Sequence, residues 1–242
     1  MSPNCQWASV PAVEALTIET QLSAPRDAVY RAWTDPSMLA SWLCEDASGS
    51  ARAGSVLELS WPSLGQNLQL HVEIAEPPHR LQVSARVAGT VQTQGIVLRD
   101  RGESTGVELY HQAPKEQHRG IANGWRLRLF VLEHFLRWGG ERGIEVVAGT
   151  ALGTETAVYD RLAEAARLHL GEPALQLMPD GLCGRITDGV IYVLRRFSLA
   201  APSHLLAAQL MSWQDDDLKE LRPTMESLIE HASTDAPSGA IH

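Results

Sequence analysis

Few side chains in this sequence have the type and spacing to act on a substrate. The best set is Glu58, Tyr110 and His111, a carboxylate, a phenol and an imidazole that could share general acid and base roles. His111 and His118 bring no third ligand at a recognisable spacing, so no metal site is expected. The stretch Gly149-Thr150-Ala151-Leu152-Gly153-Thr154 is glycine-rich but lacks the lysine of a phosphate loop. No Walker, Rossmann, Gly-x-Ser-x-Gly or His-Glu-x-x-His motif occurs, and no cofactor is implied. Asp215-Asp216-Asp217 reads either as the acidic first turn of a helix or as a solvated face.

The elements that must position the first set argue against it. Alternation over Val56–Trp61 sends Leu57, Leu59 and Trp61 to one face and Glu58 to the other. Over Gly106–His111 it separates Tyr110 and Glu108 from Val107, Leu109 and His111. His111 is therefore expected to point inward alone, as a hydrogen-bonded core residue rather than a base. In Leu68–Ile74 and Arg80–Val87 the apolar positions (Leu68, Leu70, Val72, Ile74; Leu81, Val83, Ala85, Val87) alternate with polar ones that include His71, Glu73 and Arg86. Tryptophan is the larger resource: six of the seven, all but Trp7, fall in predicted elements. Large aromatics line apolar pockets as readily as they fill cores. The expected pocket lining is Trp33, Trp42, Leu59, Trp61, Leu70, Val83, Leu109, His111, Trp125 and Leu129.

The order of elements around these residues is legible. Ala15–Leu22 alternates as a strand, and Ser23-Ala24-Pro25 opens a helix carrying Val29, Ala32 and Trp33. Asp35-Pro36 closes it and a second short helix bears Met38, Leu39 and Trp42. Strands are predicted over Val56–Trp61, Leu68–Ile74, Arg80–Val87, Thr90–Leu98 and Gly106–His111, at hairpin spacing and so antiparallel. Ile121–Trp138 is one long helix striped by Trp125, Leu129, Leu132 and Leu136, with Phe130 and Trp138 off the stripe and in need of cover. This is an α+β pattern, a curved antiparallel sheet gripping a long C-terminal helix.

Gly139-Gly140-Glu141-Arg142-Gly143 places a boundary after that helix, giving a domain of residues 1–142 and a smaller α+β region of 143–242 with a frayed tail from about 233. In the second region Thr154 is a candidate N-cap ahead of Val158, Leu162, Ala165 and Leu168. Gly189–Ser198 has a strand core, Leu205–Trp213 fits helix or strand, and Leu218–Ile229 closes as a helix broken or restarted at Pro223. Ala28-Val29-Tyr30 recurs as Ala157-Val158-Tyr159, which favours a degenerate, strand-depleted second copy over an unrelated α+β cap.

Composition sets the outer limits. The 242 residues are 44% hydrophobic and 20% charged, ordinary for a globular chain. A formal charge of −9, concentrated in the second region, excludes a typical nucleic-acid binder. Cys5, Cys44 and Cys183 form no Cys-x-x-Cys pair, which suggests a reducing compartment and a cytoplasmic protein. Neither a leader at Met1–Trp7 nor an apolar run of about 18 residues is present, so no membrane span is expected.

The stretch Leu22-Ser23-Ala24-Pro25-Arg26-Asp27-Ala28-Val29-Tyr30-Arg31-Ala32-Trp33-Thr34-Asp35-Pro36, then Leu39-Ala40-Ser41-Trp42, resembles the opening of the Aha-type proteins, homologues of the activator of heat-shock chaperone ATPase. These belong to the START-like SRPBCC helix-grip superfamily. Gly54, Glu76-Pro77-Pro78-His79-Arg80-Leu81 and Gly124-Trp125 continue the resemblance over about residues 14–140, while Leu43 stands where the family often has a second tryptophan. The resemblance implies a cavity-bearing helix-grip fold. The expected function is non-enzymatic binding of a small hydrophobic or amphipathic ligand. The alternatives are a chaperone co-factor or protein-interaction module, with a chaperone partner implied by resemblance only, and a cyclase-, dehydratase- or hydrolase-like enzyme on the same fold.

Overall fold

The structure, a computed structural model, describes residues 13–62, 65–87, 89–140, 142–177, 180–187, 189–199, 201–213 and 218–234. It is an α+β fold whose two antiparallel sheets fall in two compact units, residues 1–125 and 126–242. The division between these units lies inside the long helix.

In the first unit β1 (Val13–Leu22) leads into α1 (Arg26–Thr34) and α2 (Pro36–Trp42), followed by β2 (Asp46–Gly49), β3 (Val56–Trp61), β4 (Gln66–Glu76), β5 (Arg80–Val87), β6 (Thr90–Asp100) and β7 (Thr105–Pro114). A 3-10 turn, Lys115–Gln117, then opens α3 (His118–Trp138). The seven strands stand in the order β1-β7-β6-β5-β4-β3-β2, so the first strand pairs with the last and every other neighbour is a hairpin. Asp35 separates the two short helices and caps the second. Its carboxylate accepts from the Ser37 amide at 2.9 Å and from the Ser37 hydroxyl at 2.7 Å, which holds its pKa below the usual value. β2 escaped the sequence reading because Asp46-Ala47-Ser48-Gly49 has no apolar alternation; it is an edge strand paired only with β3.

Strand faces follow the alternation, apart from Val87, which is exposed where β5 ends, and a register shift in β4. Leu57, Leu59, Leu70, Val72, Leu81, Val83, Ala85, Ile96, Leu98, Val107 and Leu109 are buried on the inner face, while Glu58, His71, Glu73 and Arg86 are exposed. A bulge between Val72 and Ile74 shifts the register by one residue. Ala75 therefore stands opposite Leu81, and Ile74, expected inside, pairs with the outward Gln82. The outer face carries its own polar lattice: Tyr110 Oη donates to Gln82 Oε1 at 2.8 Å, Gln82 donates to Glu73, and Gln69 donates to Glu58 at 2.7 Å. Tyr110 reaches Gln82 by crossing Gly95 on the intervening β6. A Cβ at Gly95 would run into the Tyr110 hydroxyl and the Leu81 carbonyl.

The second unit holds β8 (Gly143–Leu152), α4 (Glu155–Leu170), β9 (Leu175–Leu177), β10 (Gly181–Arg185), β11 (Val190–Ser198), β12 (Ser203–Ser212) and α5 (Arg222–Ser233). Its sheet runs β8-β12-β11-β10-β9, which is the strand order of the first sheet with two strands fewer. Here too a strand and helix precede the remaining strands, and a helix follows the last strand. The Thr154 hydroxyl caps α4 by accepting from the Ala157 amide at 3.2 Å, and Pro223 occupies the first turn of α5. Leu205–Trp213 resolves as strand as far as Ser212, with burial alternating residue by residue up to Leu210 on a strand paired to β8 on one side and β11 on the other. One face packs Val158, Tyr159, Leu162 and Ala166 of α4 with Met225, Leu228 and Ile229 of α5 over Val147, Tyr192, Leu194 and Leu206. Gly149 lets α5 approach closely, because a Cβ there would press on Ile229. Cys5, Trp7, Asp215–Asp217 and most of the expected tail lie outside the described residues.

A polar cluster joins β11, β12 and the start of α4. The buried Arg196 donates to His204 Nδ1 and to Ser198 Oγ, both at 2.9 Å, and lies 3.4 Å from Glu155, which also accepts from Ser198. The Ser198 hydroxyl first, then the Arg196 charge, hold the Glu155 carboxyl below its ordinary pKa.

Two outcomes are expected from this packing. Gly95→Ala should destabilise the first unit by about 1–3 kcal/mol in urea unfolding, since β6 must move away from Tyr110 and Leu81. For Glu155, a pKa lowered by folding adds stability above the unfolded carboxylate value, and that stability disappears as pH falls through the lowered one. The stability difference between the native protein and Glu155→Gln should therefore be present at neutral pH and be lost in acid as the pH falls through the lowered carboxyl pKa, as read by thermal melts at a series of pH values.

Candidate functional site

The inner face of the first sheet, the two short helices and the first turns of α3 enclose a small apolar cavity of about 30 Å³. Trp33, Leu39, Leu43, Leu57, Leu70, Leu81, Val83, Gln94, Gly95, Ile96, Leu109 and Trp125 line it. None of these side chains titrates near neutral pH. The volume suits one or two water molecules in the unliganded form.

Stacked indoles form one wall. Trp33 packs on Trp125 with ring centroids 5.4 Å apart and meets Trp42 edge-on at 5.1 Å. The Trp42 N–H is spent on the Ala32 carbonyl at 2.8 Å. The Trp125 N–H donates to His111 Nδ1 at 3.0 Å, which leaves the ring proton on Nε2 to be donated to Gln92 Oε1 at 2.9 Å. Gln92 in turn donates to Gln117 at 3.0 Å. His111 is thus held at both nitrogens, only 8% exposed, as a structural link between β7, β6 and the start of α3. The Trp33 N–H has no acceptor among the described residues, and an unmet buried donor costs about 1–3 kcal/mol.

Of the ten residues expected in the lining, Trp33, Leu70, Val83, Leu109 and Trp125 are there. Trp42 is buried in edge contact with Trp33, Leu59 lies on the inner face away from the cavity, and Trp61 is half-buried at the end of β3. His111 sits beside Trp125 without lining the space, and Leu129 is buried on α3 beyond the division between the units. Phe130 and Trp138 are half-buried; Phe130 stacks on His134 at 4.5 Å and Arg137 covers the Trp138 ring. Sequence reasoning missed Leu39, Leu43, Leu57, Leu81, Gln94, Gly95 and Ile96. Leu57 and Leu81 were readable as inward positions of their strands. Gln94 was not, because Thr90–Gln94 offers no apolar alternation to reveal its face.

The alternative catalytic set does not assemble. Glu58 is exposed and bonded to Gln69, Tyr110 projects from the outer face to Gln82, and His111 lies on the inner face. Among the described residues no group of three or more His, Cys, Asp or Glu side chains is placed to hold a metal. Cys44 and Cys183 are buried and in no disulfide, the Cys44 thiol donates to the Leu39 carbonyl at 3.5 Å, and burial pushes the Cys183 thiol up to about 12. Among the described residues no helix is long and apolar enough to cross a membrane.

Removing the indole donor tests the role assigned to His111. Trp125→Phe should cost about 1–3 kcal/mol of stability by leaving Nδ1 buried without a donor. In the native protein, ¹⁵N spectra of the imidazole should show the Nε2-protonated tautomer alone.

Comparison with known proteins gives these observations a family. Residues 23–137 match the sequence model of the family described as Activator of Hsp90 ATPase homolog 1-like protein. Among solved structures, the chain is similar to CalU16 from Micromonospora echinospora in its crystal form, with 25% identity over 51% of this chain and 76% of that one, at a TM-score of 0.45. It is similar to DynU16, a protein of the dynemicin biosynthetic locus, with 16% identity over 90% of this chain and 95% of that one, at 0.47. It is also similar to the Aha1 dimer from Colwellia psychrerythraea, with 17% identity over 52% of this chain and 98% of that one, at 0.47. No curated protein matched the sequence. Residues 23–137, which run from the two short helices through the antiparallel strands β2 to β7 into the long helix, carry the match to an Aha-type helix-grip domain.

Proposed function

We propose that the first unit is a binding module that holds a small hydrophobic or amphipathic molecule between its sheet and its stacked tryptophans. The observation that carries this reading is a cavity walled by leucine, valine and indole, with the one adjacent imidazole already bonded at both nitrogens. Such a lining offers apolar contact and no acid or base, which favours retention over catalysis. A ligand larger than one or two waters must widen the space. The short α2 favours this, since Leu39 and Leu43 at its end contribute to the lining and Leu43 is half-exposed. Two buried free thiols fit a reducing, cytoplasmic setting. The family match also fits a protein partner, and the acidic second region would favour a basic one.

Native mass spectrometry and tryptophan fluorescence against a panel of small apolar compounds test the proposal directly. Val83→Phe should fill the cavity and weaken any bound compound by about tenfold or more, a loss of roughly 1.4 kcal/mol, while the far-ultraviolet circular dichroism stays native. Binding that Val83→Phe leaves unchanged would place the ligand elsewhere.

A further inference from the structure

An outermost strand leaves half of its backbone N–H and C=O groups unpaired, so sheet edges need protection. Three of the four edges have it: β2 is four residues long, β9 is three, and β1 carries the exposed Glu19 on its outward face. The fourth, β8, is ten residues long, contains no proline and pairs with β12 alone. Ile144, Val146, Ala148, Thr150 and Leu152 make up one face of it and all are exposed, Ile144 by 42%, Val146 by 45% and Leu152 by 50%. Its one charged residue, Glu145, lies on the opposite face and is bonded to Arg222. Arg161 donates to the Leu152 carbonyl, and no other group outside β12 hydrogen-bonds to the β8 backbone among the described residues. The apolar strip continues across the sheet, where Leu205 stands opposite Thr150 and Phe197, 40% exposed, stands opposite Leu205.

An open edge of this kind accepts another strand, and the residues of β8 match their own copy. Directly opposite residues of an antiparallel pair share a face of the sheet. A two-fold axis through Ala148 sets Ile144 against Leu152 of the second copy, Val146 against Thr150 and Ala148 against itself, using the whole of Ile144–Leu152. Each large side chain then meets an apolar or β-branched one. The smallest outward residue sits on the axis, where two identical side chains must meet, and Glu145 falls opposite Ala151 rather than its own copy. An axis moved one residue, to Val147, leaves Leu152 without a partner. A foreign peptide finds no charge on this face to fix its direction or register. We propose that two copies of this chain pair antiparallel through β8 about Ala148, joining their five-stranded sheets into one. Each copy carries a net charge of −9, so the pairing works against repulsion and is a reversible equilibrium.

Sedimentation equilibrium of the full chain, from micromolar to near-millimolar concentration, should show monomer and dimer. Added sodium chloride should tighten the dimer, because it screens two acidic copies from each other. Ala148→Lys places two like charges directly opposite and should weaken association by about threefold or more, as should Ala148→Glu. An equimolar mixture of these two variants should recover it through opposite charges at the axis. Ala148 is exposed, so both variants should keep the native circular dichroism spectrum. Ala148→Cys in a Cys5→Ser background should cross-link copies on mild oxidation, since opposite Cα atoms stand about 4.5–5.5 Å apart, within disulfide reach. Val146→Cys in the same background, offset from its own copy, should not. A chain that stays monomeric at every concentration and salt overturns the proposal. So does a dimer that both charged variants leave unchanged, or one that Val146→Cys cross-links as readily as Ala148→Cys. If a charged variant fails to fold, the two cysteine variants decide.

Discussion

The hydrogen bond from the Trp125 indole to His111 Nδ1 holds several elements of the first unit together. It ties the start of α3 to β7, and through Nε2 it continues to Gln92 on β6 and then to Gln117 in the turn before α3. The same bond decides the tautomer of the imidazole and takes up the lone pair that a general base would need. By holding Trp125 against Trp33, it also sets one wall of the cavity. A polar chain closed on itself in a low-dielectric interior is rigid, and each member depends on the next. The polar groups of His111 and Trp125 are engaged with each other rather than turned to the cavity.

The two units use one strand plan to different ends. In the first, seven strands leave a cavity between leucine, valine and tryptophan side chains. In the second, five strands are packed by helices carrying Ala163, Ala165, Ala166 and Ala232, with Tyr159 and Tyr192 filling the interior. Small residues on the helices and a glycine at the closest approach bring helix and sheet together. The charged groups of that unit gather instead where β11 and β12 meet the start of α4, with Arg196 placed between His204 and Glu155. Burial of that guanidinium is compensated by acceptors on Ser198 and His204 and by the Glu155 carboxylate, as a buried cation requires.

Glycine and tyrosine show how side chains on adjacent strands settle each other's space. Tyr110 lies across Gly95 to reach Gln82, and Tyr192 lies over Gly184 on the neighbouring β10. In each pair the absence of a Cβ admits an aromatic ring flat against the sheet, which replaces the packing the glycine lacks.

Features that depend on near neighbours along the chain could be read directly from the residues. The order of strand, paired short helices, hairpin strands and long helix was legible, as were the outward Glu58, His71, Glu73 and Arg86 and the inward His111, because alternation and capping act over a few residues. The short β2, β9 and β10 were not legible, since strands of three to five residues bear too few side chains to display a period. Only the tertiary structure decided the bulge at Glu73, the partners of His111 and the presence of Gln94 in the cavity lining. Each of these depends on register between strands or on a side chain brought from far along the chain. The unmet N–H of Trp33 belongs with them, because a donor is shown to lack an acceptor only when everything around it is in place.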